Sequence, residues 1–238
     1  FDVVHTHSSK AGIIGRLAAY NVGVPCVVHT IHGQAFHQYE KAWKNAIYIF
    51  SEKLAAKKCH KIFAVANAMI EQSVAKKVVE KDKCKVIYSG MEIEKFINSV
   101  RDNELRVNLG LKENDLVIGT LARLFPLKGY DNIVEISQKI IKRKPNVKFL
   151  IIGDGIMLDS IKASLEKANI LDNFVFVGLI PPDQVYKYLA QIDILLHLSL
   201  REGLPRAVVQ SLASGKPSVA FNLDGAPEVL INDVTGFI

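Results

Sequence analysis

The stretch DILLHLSLREGLPRAVVQSLASGKPSVAF, residues 193–221, decides the fold. It begins with the apolar run DILLHL, passes through a short turn, continues with a helical spacing of apolar residues and ends in the apolar run PSVAF. Strands that are apolar on both faces and joined by a helix are typical of a parallel sheet covered by helices. The stretch therefore predicts a strand–helix–strand unit with a right-handed crossover.

The same alternation of strands and helices runs along the rest of the chain. Further strands are predicted at DVVHT, PCVVHT, KIFAVA, KVIYS, LVIGTLA, VKFLIIG and FVFVG. Helices are predicted over residues 9–21, 39–58, 67–80, 129–144, 155–169, 182–191, 203–214 and 225–231. Ligands of open parallel sheets bind where strands end and helices begin, so these strand ends are the places to look for a site.

The polar stretch GMEIEKFINSVRDNELRVNLGLKEND, residues 90–115, interrupts this alternation. Residues 1–98 contain 14 Lys+Arg and 8 Asp+Glu, whereas residues 99–238 contain 16 of each, so the net charge of +6 lies in the first part. We predict an α/β protein whose parallel sheets form two domains, residues 1–98 and 99–238. The positive first domain suits nucleic acid, an anionic membrane surface or a phosphorylated substrate.

The composition excludes several classes of protein. The sequence has no apolar run of eighteen residues and no basic-then-apolar leader, so we expect a cytosolic protein. Cys26, Cys59 and Cys84 stand far apart without a CxxC or Cys/His spacing, which favours neither a disulfide framework nor a zinc site. Because the sequence begins at Phe1 within a strand pattern, we expect the chain to be part of a longer protein.

Glu202 lies at the carboxyl end of the strand DILLHL, directly before the helix predicted at 203–214. Backbone amides near Leu204 and Arg206 would point out of this helix start, which suits a phosphate or a sugar hydroxyl. Gln210 is eight residues from Glu202, a spacing that predicts both side chains on one helix face. Alternatively, Glu202 caps the helix and Gln210 is an ordinary surface residue.

Two further strand ends carry candidate binding residues. In GTLARLFPLKGYDNIVEI, Arg123 emerges at a strand end and Lys128 precedes the helix at 129–144. The guanidinium of arginine can donate two parallel hydrogen bonds to a diphosphate, and lysine adds a compact positive charge. The alternative is that both side chains lie in a solvated loop without a ligand. The GDG motif at Gly153–Gly155 lacks the third glycine of a dinucleotide fingerprint, so it allows either a base or ribose nearby or a tight turn.

Histidines cluster near the first two strands. His29 and His32 are expected to follow a buried strand, and Gly33 lets the backbone turn beside the imidazole. His5 and His7 are expected on one strand face. No third ligand stands at a suitable spacing, so we expect no metal site, and a structural role is the alternative for each histidine.

The stretch YEKAWKNAIYIFSEKLAAKKCHK, residues 39–61, predicts an amphipathic helix. Its apolar stripe consists of Trp43, Ile47, Phe50 and Leu54, and its basic residues are Lys41, Lys44, Lys53, Lys57 and Lys58. Such a helix can lie against anionic lipid. The alternative is a core-facing apolar stripe with a solvated basic face.

The order of these motifs resembles the family four retaining glycosyltransferases of GT-B architecture, over nearly the whole chain. The resemblance implies two facing Rossmann-like domains, with a nucleotide-sugar held mainly by the second and an acceptor by the first. It implies that Arg123 and Lys128 neutralise the donor diphosphate and that Leu204 offers a backbone amide. It also implies that Glu202 contacts the transferred sugar and that His32 faces the reacting sugar from the first domain.

Gly153, Gly203, Arg206 and Gln210 complete the donor-binding residues that the resemblance implies. Gln210 stands where the family has its second glutamate, which grips the ribose hydroxyls. Since an amide still donates and accepts hydrogen bonds, we expect altered or weakened ribose binding. The family's opening strands with their glycine-rich loop, and its final strand and helix, have no counterpart here, so we expect an incomplete first domain.

We therefore expect a retaining glycosyltransferase that moves a sugar from a UDP- or GDP-linked donor to a polyprenyl-linked or polysaccharide acceptor in cell-surface glycan biosynthesis. The sequence has no DxD triplet, so we expect no metal and no cofactor besides the donor. The resemblance implies front-side attack by the acceptor hydroxyl. We expect contact with an anionic membrane at its inner face and no nucleic-acid partner.

Two other functions remain as alternatives at this point. A hydrolysing nucleotide-sugar 2-epimerase shares the architecture but needs several acids around the sugar, where only Glu202 is well placed. A non-catalytic two-lobed sugar-binding protein would offer aromatic stacking residues, whereas Trp43 is the only tryptophan.

Overall fold

The computed structural model describes all residues from Phe1 to Ile238. The chain divides into two compact units. The first unit comprises Phe1–Gly90 together with Glu202–Leu204, and the second comprises Met91–Arg201 together with Pro205–Ile238. None of the helices is long and apolar enough to cross a membrane.

The first unit contains a four-stranded parallel sheet in the order β1-β2-β3-β4. Its strands are β1 (Val3–His7), β2 (Cys26–Ile31), β3 (Lys61–Ala64) and β4 (Cys84–Val86). Its helices are α1 (Ser9–Asn21), α2 (Ala42–Lys57) and α3 (Asn67–Ala75), followed by a 3-10 turn at Lys81–Lys83. A helix follows each of the first three strands, as the sequence pattern predicts.

The helix α2 exposes the four residues of its predicted apolar stripe. Ala55 and Ala56 are its buried residues. The apolar stripe is 60%, 55%, 63% and 44% exposed at Trp43, Ile47, Phe50 and Leu54. The alternative that this stripe faces the core is therefore wrong, because the fully buried positions of α2 are Ala55 and Ala56.

The second unit contains a six-stranded parallel sheet in the order β10-β9-β8-β5-β6-β7. Its strands are β5 (Val117–Leu121), β6 (Lys148–Ile152), β7 (Phe174–Gly178), β8 (Ile194–His197), β9 (Ser218–Ala220) and β10 (Gly236–Phe237). Its helices are α4 (Glu94–Ile97), α5 (Asn103–Asn108), α6 (Tyr130–Arg143), α7 (Leu158–Lys167), α8 (Val185–Leu189) and α9 (Arg206–Ala213). Read from β7, this is the strand order of a Rossmann fold.

Apolar cores cover both faces of the second sheet. Phe149 and Ile151 of β6 pack in one core cluster, and Leu150 and Ile152 pack in the other. Alternate residues of a strand point to opposite faces, so a strand that is apolar at every position must be buried on both. This burial explains why the sequence of β6 is a continuous apolar run.

Predicted and observed elements differ mainly at polar segments. All nine predicted strands form, and the sequence pattern missed β10 as well as the short helices α4 and α5. The helix predicted at 225–231 is only a 3-10 turn at Ala226–Glu228. The units divide after Gly90 and not at residue 98, because Phe96 of α4 is buried in a core cluster of the second unit.

Candidate functional site

The strand order of the second sheet reverses between β5 and β8, the position at which open α/β sheets form a ligand-binding crevice. The chain leaves β5 through α6 to β6 on one side, and it leaves β8 through α9 to β9 on the other. Open parallel sheets bind ligands at such a switch point, outside the carboxyl ends of the strands. Arg123 and Lys128 follow β5, and Arg206 follows β8, so the chain places these predicted residues after the two strands that define the crevice.

The loop after β5 packs directly on the end of β8. The carbonyl oxygen of Leu127 accepts a hydrogen bond of 2.9 Å from the amide of Leu200. Gly129 has φ +76°, and a Cβ there would lie 1.8 Å from the carbonyl oxygen of Leu198. Only glycine fits both the conformation and the space. The backbone on each side of Lys128 is thereby fixed against the neighbouring strand end.

Arg123 lies at the start of the same loop. Its guanidinium carbon lies 5.0 Å from the centre of the Phe125 ring, within the range of a cation–π contact. The amide of Leu124 donates a hydrogen bond of 2.9 Å to the carbonyl of Asp154. The side chain of Arg123 and the backbone that follows it are therefore both held at the end of β5.

The GDG motif forms a tight turn against the end of β5. A Cβ at Gly153 would lie 2.1 Å from the carbonyl oxygen of Ala122, and one at Gly155 would lie 2.4 Å from that of Leu124. Both glycines have positive φ, of 140° and 159°. Close approach between two backbone segments thus explains both glycines, and the ligand contact implied for Gly153 stays a prediction.

The helix α9 begins later than the sequence predicts. It starts at Arg206, and Pro205 is its N-cap with φ −74°. Glu202 therefore precedes the helix, and the prediction that Glu202 and Gln210 share one face of it is wrong. The first turn of α9 contains no acidic residue, so its unpaired amides keep their attraction for an anion.

Within the first unit, the segment Glu202–Leu204 lies against the backbone that follows β2. A Cβ at Gly203 would lie 2.1 Å from the carbonyl oxygen of His32 and 2.9 Å from a methyl group of Val65. Any side chain at this position would collide with backbone, so the position requires glycine. The structure thereby brings Glu202 and His32, the two predicted catalytic residues, into the same unit.

His7 and His32 lie at the carboxyl ends of neighbouring strands. Nδ1 of His7 lies 2.9 Å from Nε2 of His32, within hydrogen-bond distance. The ring of His5 lies 4.2 Å from that of His7, which confirms that both occupy one strand face. Burial, followed by the charge of His7, lowers the pKa of His32, so this imidazole is neutral at physiological pH.

His29 lies inside β2 and is buried, so the prediction that it follows the strand is wrong. Its Nδ1 lies 2.9 Å from the hydroxyl of Thr6. A Cβ at Gly12 would lie 2.5 Å from its Cε1 atom, so α1 packs directly on the ring. Burial, followed by the charge of Arg16, lowers the pKa of His29 to about 3, and His29 is a neutral core residue.

The sequence interpretation missed a buried ion pair beside these histidines. Nη2 of Arg16 lies 2.6 Å from a carboxylate oxygen of Glu52, and the two side chains are 1% and 12% exposed. The hydroxyl of Ser9 donates a hydrogen bond of 2.5 Å to the other carboxylate oxygen. The detectable signal was a lone arginine within the apolar helix GIIGRLAAY, where only a buried partner compensates its charge.

Solved structures identify the class of the fold. The chain matches Anabaena Alr3699/HepE in complex with UDP with a TM-score of 0.84 and 22% identity, over 100% of this chain and 64% of that one. It matches sucrose-phosphate synthase from Thermosynechococcus elongatus with a TM-score of 0.85 and 18% identity, over 100% and 60%. At these identities the likeness shows the fold alone, and it confirms the predicted α/β GT-B architecture with two Rossmann-like domains.

Family models then identify the family. The model for glycosyl transferases group 1 matches residues 101–238, and the model for Glycosyltransferase Family 4 matches residues 1–95. Since the first model covers more than half of the chain, the protein belongs to the group 1 glycosyl transferases, and the predicted resemblance is confirmed.

Curated relatives of this chain are longer proteins. The chain is 33% identical to the UDP-Gal:alpha-D-GlcNAc-diphosphoundecaprenol alpha-1,3-galactosyltransferase of Escherichia coli, over 100% of this chain and 62% of that protein. It is 27% identical to the phosphatidylinositol N-acetylglucosaminyltransferase GPI3 subunit of Saccharomyces cerevisiae, over 98% of this chain and 51% of that protein. The chain thus spans between half and two thirds of these relatives.

Proposed function

We propose that the protein is a retaining glycosyltransferase that transfers a hexosyl or N-acetylhexosaminyl unit from a nucleoside-diphosphate sugar to a lipid-linked or polysaccharide acceptor in cell-surface glycan biosynthesis. The observation that carries this proposal is the switch point between β5 and β8, where the loop with Arg123 and Lys128 packs on the strand end that leads into α9. Family membership and the named activities of both curated relatives support it.

In this proposal, the second unit binds the donor. Arg123 and Lys128 neutralise the diphosphate, and the amides at the start of α9, including that of Arg206, add hydrogen bonds to it. Cleavage of the glycosyl–phosphate bond leaves a nucleoside diphosphate, so preorganised cations stabilise the leaving group in the transition state. We propose that these groups replace a metal ion and that no further cofactor takes part.

The sugar is handled by the residues near His32. Glu202 contacts the transferred sugar, and Gly203 and Leu204 hold that segment against the backbone of His32. The neutral imidazole of His32 faces the reacting centre, where it accepts or donates hydrogen bonds without adding charge. The acceptor hydroxyl then attacks on the face from which the diphosphate leaves.

The nucleoside lies beyond the diphosphate, toward α9 and the end of β6. Gln210 binds the ribose hydroxyls through its amide, and the nucleoside lies near the backbone of Gly153. UDP is the nucleotide that we propose first, since UDP occurs in the name of the E. coli relative and in the Anabaena complex.

We also propose that the first unit meets its acceptor at the cytoplasmic face of an anionic membrane. The apolar stripe of α2 is exposed, and residues 1–98 carry all of the net positive charge. An exposed apolar stripe with nearby lysines is typical of a helix that lies in the membrane interface.

The test is nucleotide binding and transfer by the full-length protein. We expect UDP or a UDP-sugar to raise the melting temperature, since a ligand at 100 times its Kd adds about 2.7 kcal/mol. Arg123→Ala and Lys128→Ala should each weaken UDP binding about tenfold or more, whereas Lys167→Ala, at an exposed lysine of α7, should not.

Unaltered UDP affinity and transfer in both crevice variants would overturn the roles of Arg123 and Lys128. Product epimers formed without any acceptor would identify a 2-epimerase instead. Binding of free sugar without nucleotide would identify a sugar-binding protein.

A further inference from the structure

The first unit has a second concave surface, which the proposed reaction does not use. A groove of about 740 Å³ lies between the end of α2 and the segment from the end of α3 to β4. We call it the lysine groove, because its lining includes Lys53, Lys57, Lys77, Lys81 and Lys83. Its volume is in the range of small-molecule binding sites.

The lysine groove lies at the amino ends of the strands of this sheet, and the histidines lie at the carboxyl ends. Lys57 ends α2 shortly before β3 begins, and Lys83 directly precedes β4. His7 and His32, by contrast, stand at the carboxyl ends of β1 and β2. Since all four strands are parallel, residues that precede a strand lie at one end of the sheet and residues that follow a strand lie at the opposite end. The groove is therefore separate from the candidate catalytic residues.

The charge of the groove is unbalanced. Four of the lysine ammonium groups make no hydrogen bond or ion pair within the chain, namely those of Lys53, Lys57, Lys77 and Lys81. The ammonium group of Lys83 donates a hydrogen bond of 2.7 Å to the carbonyl of Ala56. Glu80 is the single acidic residue among the lining residues. A concentration of cations in a concave surface attracts an anion and is stabilised by it.

The groove also has an apolar floor. Val78 and Val79 are buried beneath the lysines, and Ala56 of α2 is buried beside them. A floor of methyl groups under a rim of ammonium groups matches an amphiphilic anion better than a fully hydrated one, because aliphatic parts of the ligand can then displace water.

The position of the groove beside α2 indicates which kind of amphiphilic anion it would bind. At 100° per residue, Lys57 lies about 60° around the helix from Leu54 of the exposed apolar stripe, and Lys53 lies about 100° from it in the same direction. These two lysines therefore separate the stripe from the groove. A membrane that contacts the stripe would present its lipid headgroups at the entrance of the groove.

We propose that the lysine groove binds the phosphate headgroup of an anionic phospholipid while the apolar stripe of α2 inserts at the membrane interface. This proposal rests on the membrane contact in the proposed function and assigns the lipid class and the site. Lys77 and Lys81, which lie outside α2, belong to the headgroup site and not to the inserted helix.

The experiment compares two double variants of the full-length protein. Lys77→Gln with Lys81→Gln removes two charges from the groove, and Lys76→Gln with Lys85→Gln removes two charges from exposed lysines that do not line it. Binding is measured to phosphatidylcholine vesicles with and without phosphatidylglycerol. It is also measured by calorimetry to short-chain phosphatidylglycerol below its critical micelle concentration.

We expect the groove variant to bind phosphatidylglycerol vesicles about 25-fold more weakly, or about fivefold for each charge removed. It should also lose binding of the monomeric lipid, while the control variant changes each affinity less than about twofold. Equal losses in both variants would show diffuse attraction and overturn the proposal. Unchanged lipid binding in the groove variant would also overturn it.

Nucleotide binding separates this proposal from the proposed function. The groove variant should bind UDP like the parent protein, because its two lysines lie at the opposite end of the sheet from the histidines and outside the second unit. Failure of UDP to bind any form would refute the proposed function and leave the lipid measurements to decide the groove.

Discussion

His7 and His32 form a histidine pair, with Nδ1 of one 2.9 Å from Nε2 of the other. A hydrogen bond between two imidazoles needs one donor and one acceptor, so the pair is lost when both rings are protonated. Burial is the larger cause of the lowered pKa of His32 and the charge of His7 is the second. In the proposed reaction, His7 is therefore a positioning residue, which helps to keep His32 neutral and fixes its orientation.

Replacement of His7 should move the pH profile of the proposed transfer reaction. In His7→Ala the pKa of His32 rises, because one of the causes that lower it is removed. Since the neutral imidazole is the active form in the proposed reaction, the acid limb of kcat/KM should shift to higher pH, with activity at pH 6 reduced more than activity at pH 8. His7→Gln should restore part of kcat. An unchanged pH profile in His7→Ala would contradict the positioning role.

The buried His29 should make the first unit sensitive to acid. Its folded pKa is about 3, whereas the ordinary pKa of histidine is 6.5, so the unfolded chain binds one more proton between these values. The contribution of His29 to the free energy of unfolding is fully present above pH 6.5. It falls by about 1.4 kcal/mol per pH unit as the pH decreases below that value. Urea unfolding at pH 7 and pH 5, followed by the fluorescence of Trp43, measures this loss. His29→Asn should flatten the pH dependence, and an identical slope in both proteins would argue against this cause.

The ion pair between Arg16 and Glu52 should contribute strongly to the first unit. Glu52→Gln leaves the guanidinium of Arg16 buried without its countercharge, which should cost about 3 kcal/mol of unfolding free energy. Glu135 and Lys139 form an exposed pair on α6 that serves as the comparison. Glu135→Gln should leave stability unchanged. Equal effects of the two substitutions in urea unfolding would show that burial does not decide the result.

Residue patterns predicted the fold well where apolar runs are continuous. The run FLII of β6 is buried on both faces, so a strand could be predicted there from the short, continuous apolar run. The short helices α4 and α5 escaped notice because they lie in a polar segment, where α4 is fixed by the burial of Phe96 and not by local periodicity. The start of α9 was placed too early because Pro205 caps the helix from outside.

For the candidate site, the sequence predicted which strand ends carry the candidate residues, but it did not predict the tertiary contacts between those strand ends. Arg123 and Lys128 follow β5 as expected, since their position depends only on where the strand ends. The contact of Gly129 with Leu198 and that of Gly203 with His32 join residues far apart in the chain. Such contacts depend on tertiary packing, so a glycine in the sequence signals an unusual position without naming its neighbour.

Gly129→Ala should disrupt the loop that carries Lys128. A methyl group there would overlap the carbonyl of Leu198 at 1.8 Å, in addition to the strain of φ +76°. We expect a loss of about 3 kcal/mol or more in the second unit, measured by calorimetry. Gly110→Ala is the matched control, because Gly110 has φ +68° with nothing within 4 Å. The control should lose only about 1 kcal/mol, and a similar loss in both variants would show that contact with Leu198 is unimportant.

Gln210→Glu tests the ribose contact that we propose for α9. A carboxylate accepts hydrogen bonds from both ribose hydroxyls, and such charge-assisted bonds are roughly twice as strong as neutral ones. UDP should therefore bind about fivefold more tightly to the variant, whereas 2′-deoxy-UDP, which lacks one hydroxyl, should gain much less. Isothermal titration of both nucleotides measures the difference. Gln138→Glu, on the exposed part of α6, is the control and should leave both affinities unchanged. If the two nucleotides gain equally, residue 210 does not contact the 2′-hydroxyl, because that hydroxyl is the only feature that distinguishes them.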